Sequence, residues 1–195
     1  ACAPFRRLHL CNKNMENMDT NNDGKAKHDL LLDVCMAAKY EGDLIKTHYP
    51  KHEQTNNDSA SQLCTVLARS FADIADIVRG KDLYLGYDQK ENKQRKQLED
   101  KLKDIFGKIY EKLDEKIKSN YNDAPYYYKL REDWWNANRQ EVWKAITCEA
   151  GQNDKYFRKT CAGGKTGTLT PSRCRCDGAN VVPTYFDYVP QFLRW

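Results

Sequence analysis

Apolar residues recur at intervals of three and four along most of the chain, which is the spacing of one face of an α-helix. A first stripe predicts a helix from about Lys27 to His48, ended by Pro50. A second helix should begin at a capping pattern formed by Ser59 and Gln62, and Gly80 stands where a left-handed C-terminal cap is expected. The two stripes consist of Leu31, Val34, Cys35, Ala38 and Ile45, and of Leu63, Val66, Leu67, Phe71, Ile74, Ile77 and Val78.

Two more helices are predicted in the second half of the chain. One runs from about Lys90 to Ser119 and carries its apolar stripe among dense mixed charges. The other begins near Pro125 and ends near Cys148. It should be the central helix, because its apolar residues cover more than one face. They are Leu130, Trp134, Trp135, Val142, Trp143 and Ile146. No segment alternates convincingly with a period of two, so the predicted fold class is all-α.

Aromatic residues are concentrated at the start of this last helix, and they have two interpretations. Tyr126, Tyr127 and Tyr128, with the three tryptophans that follow, offer flat surfaces on which sugar rings could stack. Their helical spacing favours packing in the core instead.

Eight cysteines occur among the 195 residues, and no Cys-x-x-Cys pair is present. Zinc sites need such close doublets, and many thiols are unusual in a cytosolic protein that keeps them reduced. In an oxidising compartment they form disulfides, each worth about 2–4 kcal/mol of stability. We therefore expect an extracellular domain, and the alternative is a cytosolic protein with scattered buried thiols. The residues are Cys2, Cys11, Cys35, Cys64, Cys148, Cys161, Cys174 and Cys176.

Composition excludes several classes of protein. With 40% hydrophobic and 31% charged residues, the chain should be globular. The net charge of +4 is too small to indicate nucleic-acid binding, and no apolar run is long enough to insert into a membrane. No export signal opens the chain, so we expect a piece of a larger protein.

No motif indicates catalysis, a cofactor or a metal. Asp19, Asn21, Asp23 and Gly24 resemble the first half of a calcium loop, but Leu30 occupies the twelfth position, where a glutamate is needed. No catalytic signature occurs, and the carboxylates are spaced like solvated helix charges. We therefore expect a protein that is not an enzyme.

The long irregular segment 149–180 contains the strongest charge pattern. Between residues 155 and 176 it has six cationic residues and no Asp or Glu. Such a loop can bind sulfate or carboxylate groups of glycans through charge-assisted hydrogen bonds. The alternative is a variable surface loop whose charge happens to be basic. The candidate anion contacts are Lys155, Arg158, Lys159, Lys165, Arg173 and Arg175.

Long blocks of the sequence resemble Duffy-binding-like domains. They are residues 68–86 (ARSFADIADIVRGKDLYLG), 127–148 (YYKLREDWWNANRQEVWKAITC) and 181–195 (VVPTYFDYVPQFLRW). Residues 1–14 (ACAPFRRLHLCNKN) and 33–43 (DVCMAAKYEGD) fit the same pattern. The chain is most similar to the alpha class, at the head of the variant erythrocyte membrane proteins of the human malaria parasite.

This resemblance implies a disulfide-stapled helical bundle with long irregular loops. Residues 1–26 would end a first subdomain, and 27–195 would form a second, truncated before a third. Cys2 and Cys11 would pair with cysteines upstream, and Cys64 would bond in the neighbourhood of Cys174 and Cys176. The cysteines left to pair among themselves would be Cys35, Cys64, Cys148, Cys161, Cys174 and Cys176.

The resemblance also implies a function. The domain would lie on the extracellular face of the infected erythrocyte membrane, as part of a larger transmembrane protein. It would bind a host receptor, a sulfated glycan such as heparan sulfate or a blood-group sugar, in rosetting or cytoadherence. Antibodies and neighbouring adhesion domains would be further partners. Alternatively, this segment is an antigenically variable scaffold whose receptor contacts lie in neighbouring subdomains or domains.

Overall fold

The computed structural model describes residues 5–18, 25–56, 63–84, 86, 88–161, 167–177 and 181–194. In these ranges the regular elements are helical, and the predicted all-α class is confirmed. The α-helices are α1 (Phe5–Leu8), α2 (Ala26–Asn56), α3 (Leu63–Arg79), α4 (Gln89–Glu111), α5 (Glu115–Lys118) and α6 (Tyr128–Ile146). Short 3-10 turns cover Lys13–Asn17, Phe186–Tyr188 and Gln191–Leu193. None of the helices in the described ranges is long and apolar enough to span a bilayer.

Helix boundaries differ from the predicted ones in three places. α2 continues through Pro50 to Asn56, because the φ of about −65° that a proline ring imposes is compatible with a helix, although the missing N–H costs one helical hydrogen bond. The single helix predicted over 90–119 is divided into α4 and α5. α6 begins at Tyr128, after a cis peptide bond before Pro125 and a left-handed Tyr127 (φ 53°). The Ser59–Gln62 cap and the calcium-like segment 19–24 lie outside the described residues.

The end of α3 follows the sequence prediction closely. The helix stops at Arg79, and Gly80 adopts a left-handed conformation with φ +69°. A Cβ at this position would lie 2.7 Å from the Tyr128 ring, so both backbone conformation and space require glycine.

The central helix is α3, which corrects the prediction that α6 occupies this place. Nearly every residue of α3 is buried, and it packs against both α2 and α6. Phe71 contacts Trp135 and Trp143 of α6, with ring centroids 5.1 and 5.2 Å apart. The tryptophans of α6 are therefore core residues, as their spacing predicts.

Charged residues of α3 are buried because they are paired. Arg194 donates to Asp73 at 3.1 Å and also to Asp76, while Arg79 bonds to Asp76 at 3.2 Å. Asp187 accepts hydrogen bonds from Trp135 at 2.9 Å and from Arg139. This ionic cluster fixes the C-terminal segment onto α3 and α6, and its members are Asp73, Asp76, Arg79, Arg139, Asp187 and Arg194.

Two disulfides lie within the described residues, Cys64–Cys174 and Cys161–Cys176. The first joins α3 to the neighbourhood that the family resemblance implied. Cys35 and Cys148, which the resemblance also implied as disulfide candidates, are free thiols in this structure. Cys11 is a free thiol here, and its pairing upstream stays a prediction, while Cys2 lies outside the described residues.

Candidate functional site

The segment 155–176, called the basic loop below, is held against the helical core at several points. Buried Tyr156 donates its N–H to Thr170 Oγ1 at 2.7 Å and its hydroxyl to Thr184 Oγ1 at 3.0 Å. The Cys161 and Thr168 backbones exchange two hydrogen bonds. Thr160 Oγ1 donates to the Pro183 carbonyl at 2.6 Å. The described parts of this loop are therefore anchored although they form no helix or strand.

The second part of the basic loop, residues 167–176 and called the return segment below, is held by the largest number of contacts. Cys174 is fully buried, its sulfur bonds to Cys64, and its carbonyl accepts a 3.1 Å hydrogen bond from Trp143 Nε1. Arg173 and Cys174 both have positive φ, 51° and 55°, which is strained for residues other than glycine. The disulfide and the Trp143 bond hold this turn, and they leave the Arg173 side chain exposed.

Four of the six predicted anion contacts are exposed on this scaffold. Lys155, Arg158 and Lys159 lie on the first part of the loop, residues 155–161, and Arg173 lies on the return segment. The Arg158 guanidinium is 5.2 Å from the Phe157 ring centroid, a cation–π contact that keeps the charge at the surface. Lys165 falls outside the described residues.

Arg175 differs from these four candidates, because it is only half-exposed and its guanidinium is bonded to the end of α6. Its Nε donates to Thr147 Oγ1 at 2.7 Å, and its Nη2 donates to the Lys144 carbonyl at 2.6 Å. The guanidinium therefore caps the C-terminal end of α6, where carbonyl groups lack helical partners. Burial lowers the pKa of Arg175, which agrees with this structural role.

Within the described residues, neither a metal-binding cluster nor an activated Cys11 or Cys35 thiol is present. No cluster of His, Cys, Asp or Glu in these ranges could hold a metal ion. Burial and the Glu41 carboxylate raise the pKa of the Cys11 thiol to about 11, and burial and Glu141 do the same for Cys35. Both thiols are therefore protonated at neutral pH and are poor nucleophiles.

The three tyrosines at the beginning of α6, residues 126–128, have different environments in the structure, which their spacing did not predict. Tyr127 is half-buried and packs on Tyr110, with centroids 5.3 Å apart. Tyr126 and Tyr128 are each 44% exposed and stack on one another beside a pocket. The helical spacing of these residues favoured core packing over sugar stacking for all three, and only Tyr127 packs in this way.

Comparison with known proteins establishes the family. The family model of the Duffy binding domain matches residues 1–194. This chain belongs to the Duffy binding domain family. Among curated proteins, the Duffy receptor of Plasmodium vivax is 27% identical over 153 residues, which are 74% of this chain and 12% of the receptor. The beta form of the Duffy receptor of Plasmodium knowlesi is also 27% identical and is covered over 11% of its length.

Solved structures of Duffy-binding-like domains share the fold. The PfEMP1 IT4var13 DBLbeta domain bound to ICAM-1 is 36% identical and covers the whole chain with a TM-score of 0.72. A second PfEMP1 DBLb domain, bound to human ICAM-1, is 31% identical with a TM-score of 0.67. This chain spans 43% and 38% of those two chains, respectively. The matches establish an adhesion-type domain, and the alpha class stays a prediction.

Proposed function

We propose that this chain is the central part of an adhesion domain that binds a host cell-surface receptor, with the basic loop contacting sulfate or carboxylate groups. The loop would be displayed outside the parasite, at the surface of the infected erythrocyte. The observation that carries the proposal is the exposure of Lys155, Arg158, Lys159 and Arg173 on a loop clamped by two disulfides. No acidic residue interrupts residues 155–176, so the charged side chains of the loop itself are all positive.

A heparin column run at two ionic strengths tests the loop. Retention of the native chain should fall steeply with salt, since screened electrostatic attraction is the driving term. Replacing Lys155, Arg158, Lys159 and Arg173 by glutamine should abolish most of it. The matched control replaces four exposed lysines elsewhere, Lys93, Lys96, Lys112 and Lys116, and gives the same change in net charge. Equal loss of retention in both variants would remove the basic loop from the function.

A second candidate function is supported by the coverage of the relatives. The ICAM-1-bound domains are more than twice as long as this chain, so the receptor contacts can lie outside it. The chain would then be the scaffold and an antigenically variable surface recognised by antibodies. Binding to ICAM-1 should be compared for the intact domain, for this chain, and for the intact domain with the loop cations replaced. If this chain alone does not bind ICAM-1, and the intact domain binds equally well with its loop cations replaced, the scaffold function is favoured.

The same proposal includes the subdomain boundaries. Residues 1–26 would end a first subdomain and 27–195 would form the second. Arg7 of α1 supports a tight association of these parts, because it bonds to Asp82 after α3. Limited proteolysis of the intact domain should therefore leave residues 1–18 attached to the helical part.

A further inference from the structure

A pocket of about 240 Å³ lies between α4, the end of α3 and the segment before α6, and it shares no residue with the basic loop. Ile77, Leu98 and Leu102 form its apolar part, and all three are almost fully buried. The volume suits one large amino-acid side chain and is below the usual range for drug-sized ligands. A side chain placed there would be shielded from water on the apolar side.

Two tyrosines form an exposed aromatic wall of this pocket. Tyr126 and Tyr128 stack with their centroids 5.3 Å apart and their planes inclined by 7°. The left-handed backbone at Tyr127 turns the intervening ring away, toward Tyr110. Lys103 Nζ lies 4.5 Å from the Tyr126 centroid and covers part of that ring. The wall is thus ordered before any partner arrives, which lowers the entropic cost of binding.

The ion pairs at the pocket join three guanidinium groups to two carboxylates. Asp82 accepts hydrogen bonds from both Arg7 and Arg95, and these guanidinium groups lower the pKa of its carboxyl, so it is ionised at neutral pH. Glu99 is neutralised by Arg131, which binds it through two nitrogens at 2.7 and 2.9 Å.

Arg95 has donors to spare for a ligand. Among the described contacts, one of its five N–H groups bonds to Asp82, and its guanidinium also lies 4.8 Å from the Tyr84 centroid. Its side chain is 21% exposed. It is therefore placed to bind a carboxylate at the rim of the pocket.

We propose that this pocket binds a partner protein through an apolar side chain that is followed in its sequence by an acidic residue. The apolar side chain packs beside the tyrosine wall and over the accessible parts of Ile77 and Leu98, and the carboxylate bonds to Arg95. A sugar ring fits less well on this apolar side, where its hydroxyl groups would face aliphatic side chains that offer no hydrogen bonds. The site is independent of the basic loop and goes beyond the function proposed above.

A peptide titration tests the proposal on the native 195-residue chain, followed by ¹H–¹⁵N NMR. The probes are N-acetyl-phenylalanyl-aspartyl amide, its asparaginyl counterpart, and the alanyl-aspartyl analogue. The first should bind at least about tenfold more tightly than either of the others, since each lacks one half of the recognition. Equal binding of the aspartyl and asparaginyl peptides, or no binding of any, overturns the proposal without the use of any variant.

Substitutions then place the site, with circular dichroism as a check on folding. Tyr126→Ala and Arg95→Gln should each weaken binding of the first peptide about tenfold. The matched controls are Tyr40→Ala, a tyrosine 50% exposed on α2, and Lys96→Gln, an exposed cation next to Arg95. Equal effects of variants and controls overturn the proposal.

Two further measurements distinguish a peptide site from a glycan site, and the pocket from the basic loop. If 3′-sialyllactose shifts the pocket resonances and the peptides do not, the site binds glycans and the proposal fails. The variant with four loop cations replaced should bind the peptide as the native chain does, whatever its heparin retention. Loss of peptide binding in that variant would place the probe on the basic loop and overturn the pocket assignment.

Discussion

Cys64 on α3 is bonded to Cys174 on the basic loop across 110 residues of sequence, with their Cα atoms 5.5 Å apart. Trp143 of α6 donates a hydrogen bond to the Cys174 carbonyl at the same point. The return segment of the loop is therefore fixed to two core helices at once. This attachment explains how an irregular segment can present Arg173 at a defined position.

Removing this long-range disulfide should cost more stability than removing the short one. The double substitution of Cys64 and Cys174 by alanine opens a loop of 110 residues, for which loop-closure entropy predicts about 4–5 kcal/mol. The pair Cys161 and Cys176 spans 15 residues and should cost about 3 kcal/mol. Urea unfolding of the two double variants measures both values. The reverse order would mean that chain entropy is not the main contribution.

Arg173 and Arg175 should behave differently although only one residue separates them. Arg175→Ala removes the bonds to Thr147 and to the Lys144 carbonyl, so it should lower the free energy of unfolding by about 1–3 kcal/mol. Arg173→Ala should leave stability within about 0.5 kcal/mol and weaken heparin retention. Thermal unfolding and heparin chromatography of both variants make the comparison. A stable Arg175 variant with weakened retention would restore this residue to the binding surface.

Trp134 offers a test of packing in the α4–α6 interface. Its side chain is 5% exposed and meets Phe106 edge-on at 6.1 Å, so Trp134→Ala should cost about 3–5 kcal/mol. Its indole N–H has no hydrogen-bond partner among the described residues. Trp134→Phe removes that unpaired group and should cost less, about 1–2 kcal/mol. Denaturant unfolding should rank the two variants in this order, and a cost below about 1 kcal/mol for alanine would mark Trp134 as a surface residue.

Asp76 should make stability depend on pH. Burial raises its pKa to about 6 against the opposing effect of Arg194 and Arg79, and nearby Asp73 adds to the increase. The folded state therefore binds a proton more readily than the unfolded state, whose carboxyl has a pKa near 3.8. The contribution of Asp76 to the free energy of unfolding should increase as the pH falls from about 7 to about 4. This contribution should be lost again as the pH rises through 6.

Asp76→Asn provides the control for this titration. The variant cannot ionise at this position, so its free energy of unfolding should vary less between pH 4 and 7 than that of the native chain. Urea unfolding at several pH values measures the difference. Parallel pH profiles for the two proteins would assign the dependence to other carboxyls.

Sequence patterns were sufficient for the helices because their information is local. Phe71, Ile74 and Val78 lie on one face at helical spacing, and the left-handed Gly80 ends α3 where the cap was predicted. The same local rules failed at Pro50, where the helix continues, and at residues 112–114, where the predicted helix divides. Neither the continuation of α2 nor the division at residues 112–114 changes the spacing of apolar residues, so this spacing could not predict them.

The amino-acid sequence by itself determined the all-α class, the buried tryptophans, the positive charge of the basic loop and the family to which the chain belongs. Only the tertiary structure decided which cysteines bond, that Arg175 contacts Thr147 while Arg173 faces solvent, and that Tyr126 and Tyr128 are exposed on either side of the half-buried Tyr127. The reason is that burial and charge pairing depend on residues far apart in sequence. Periodicity reports only which side of a helix is apolar, and not what lies opposite it.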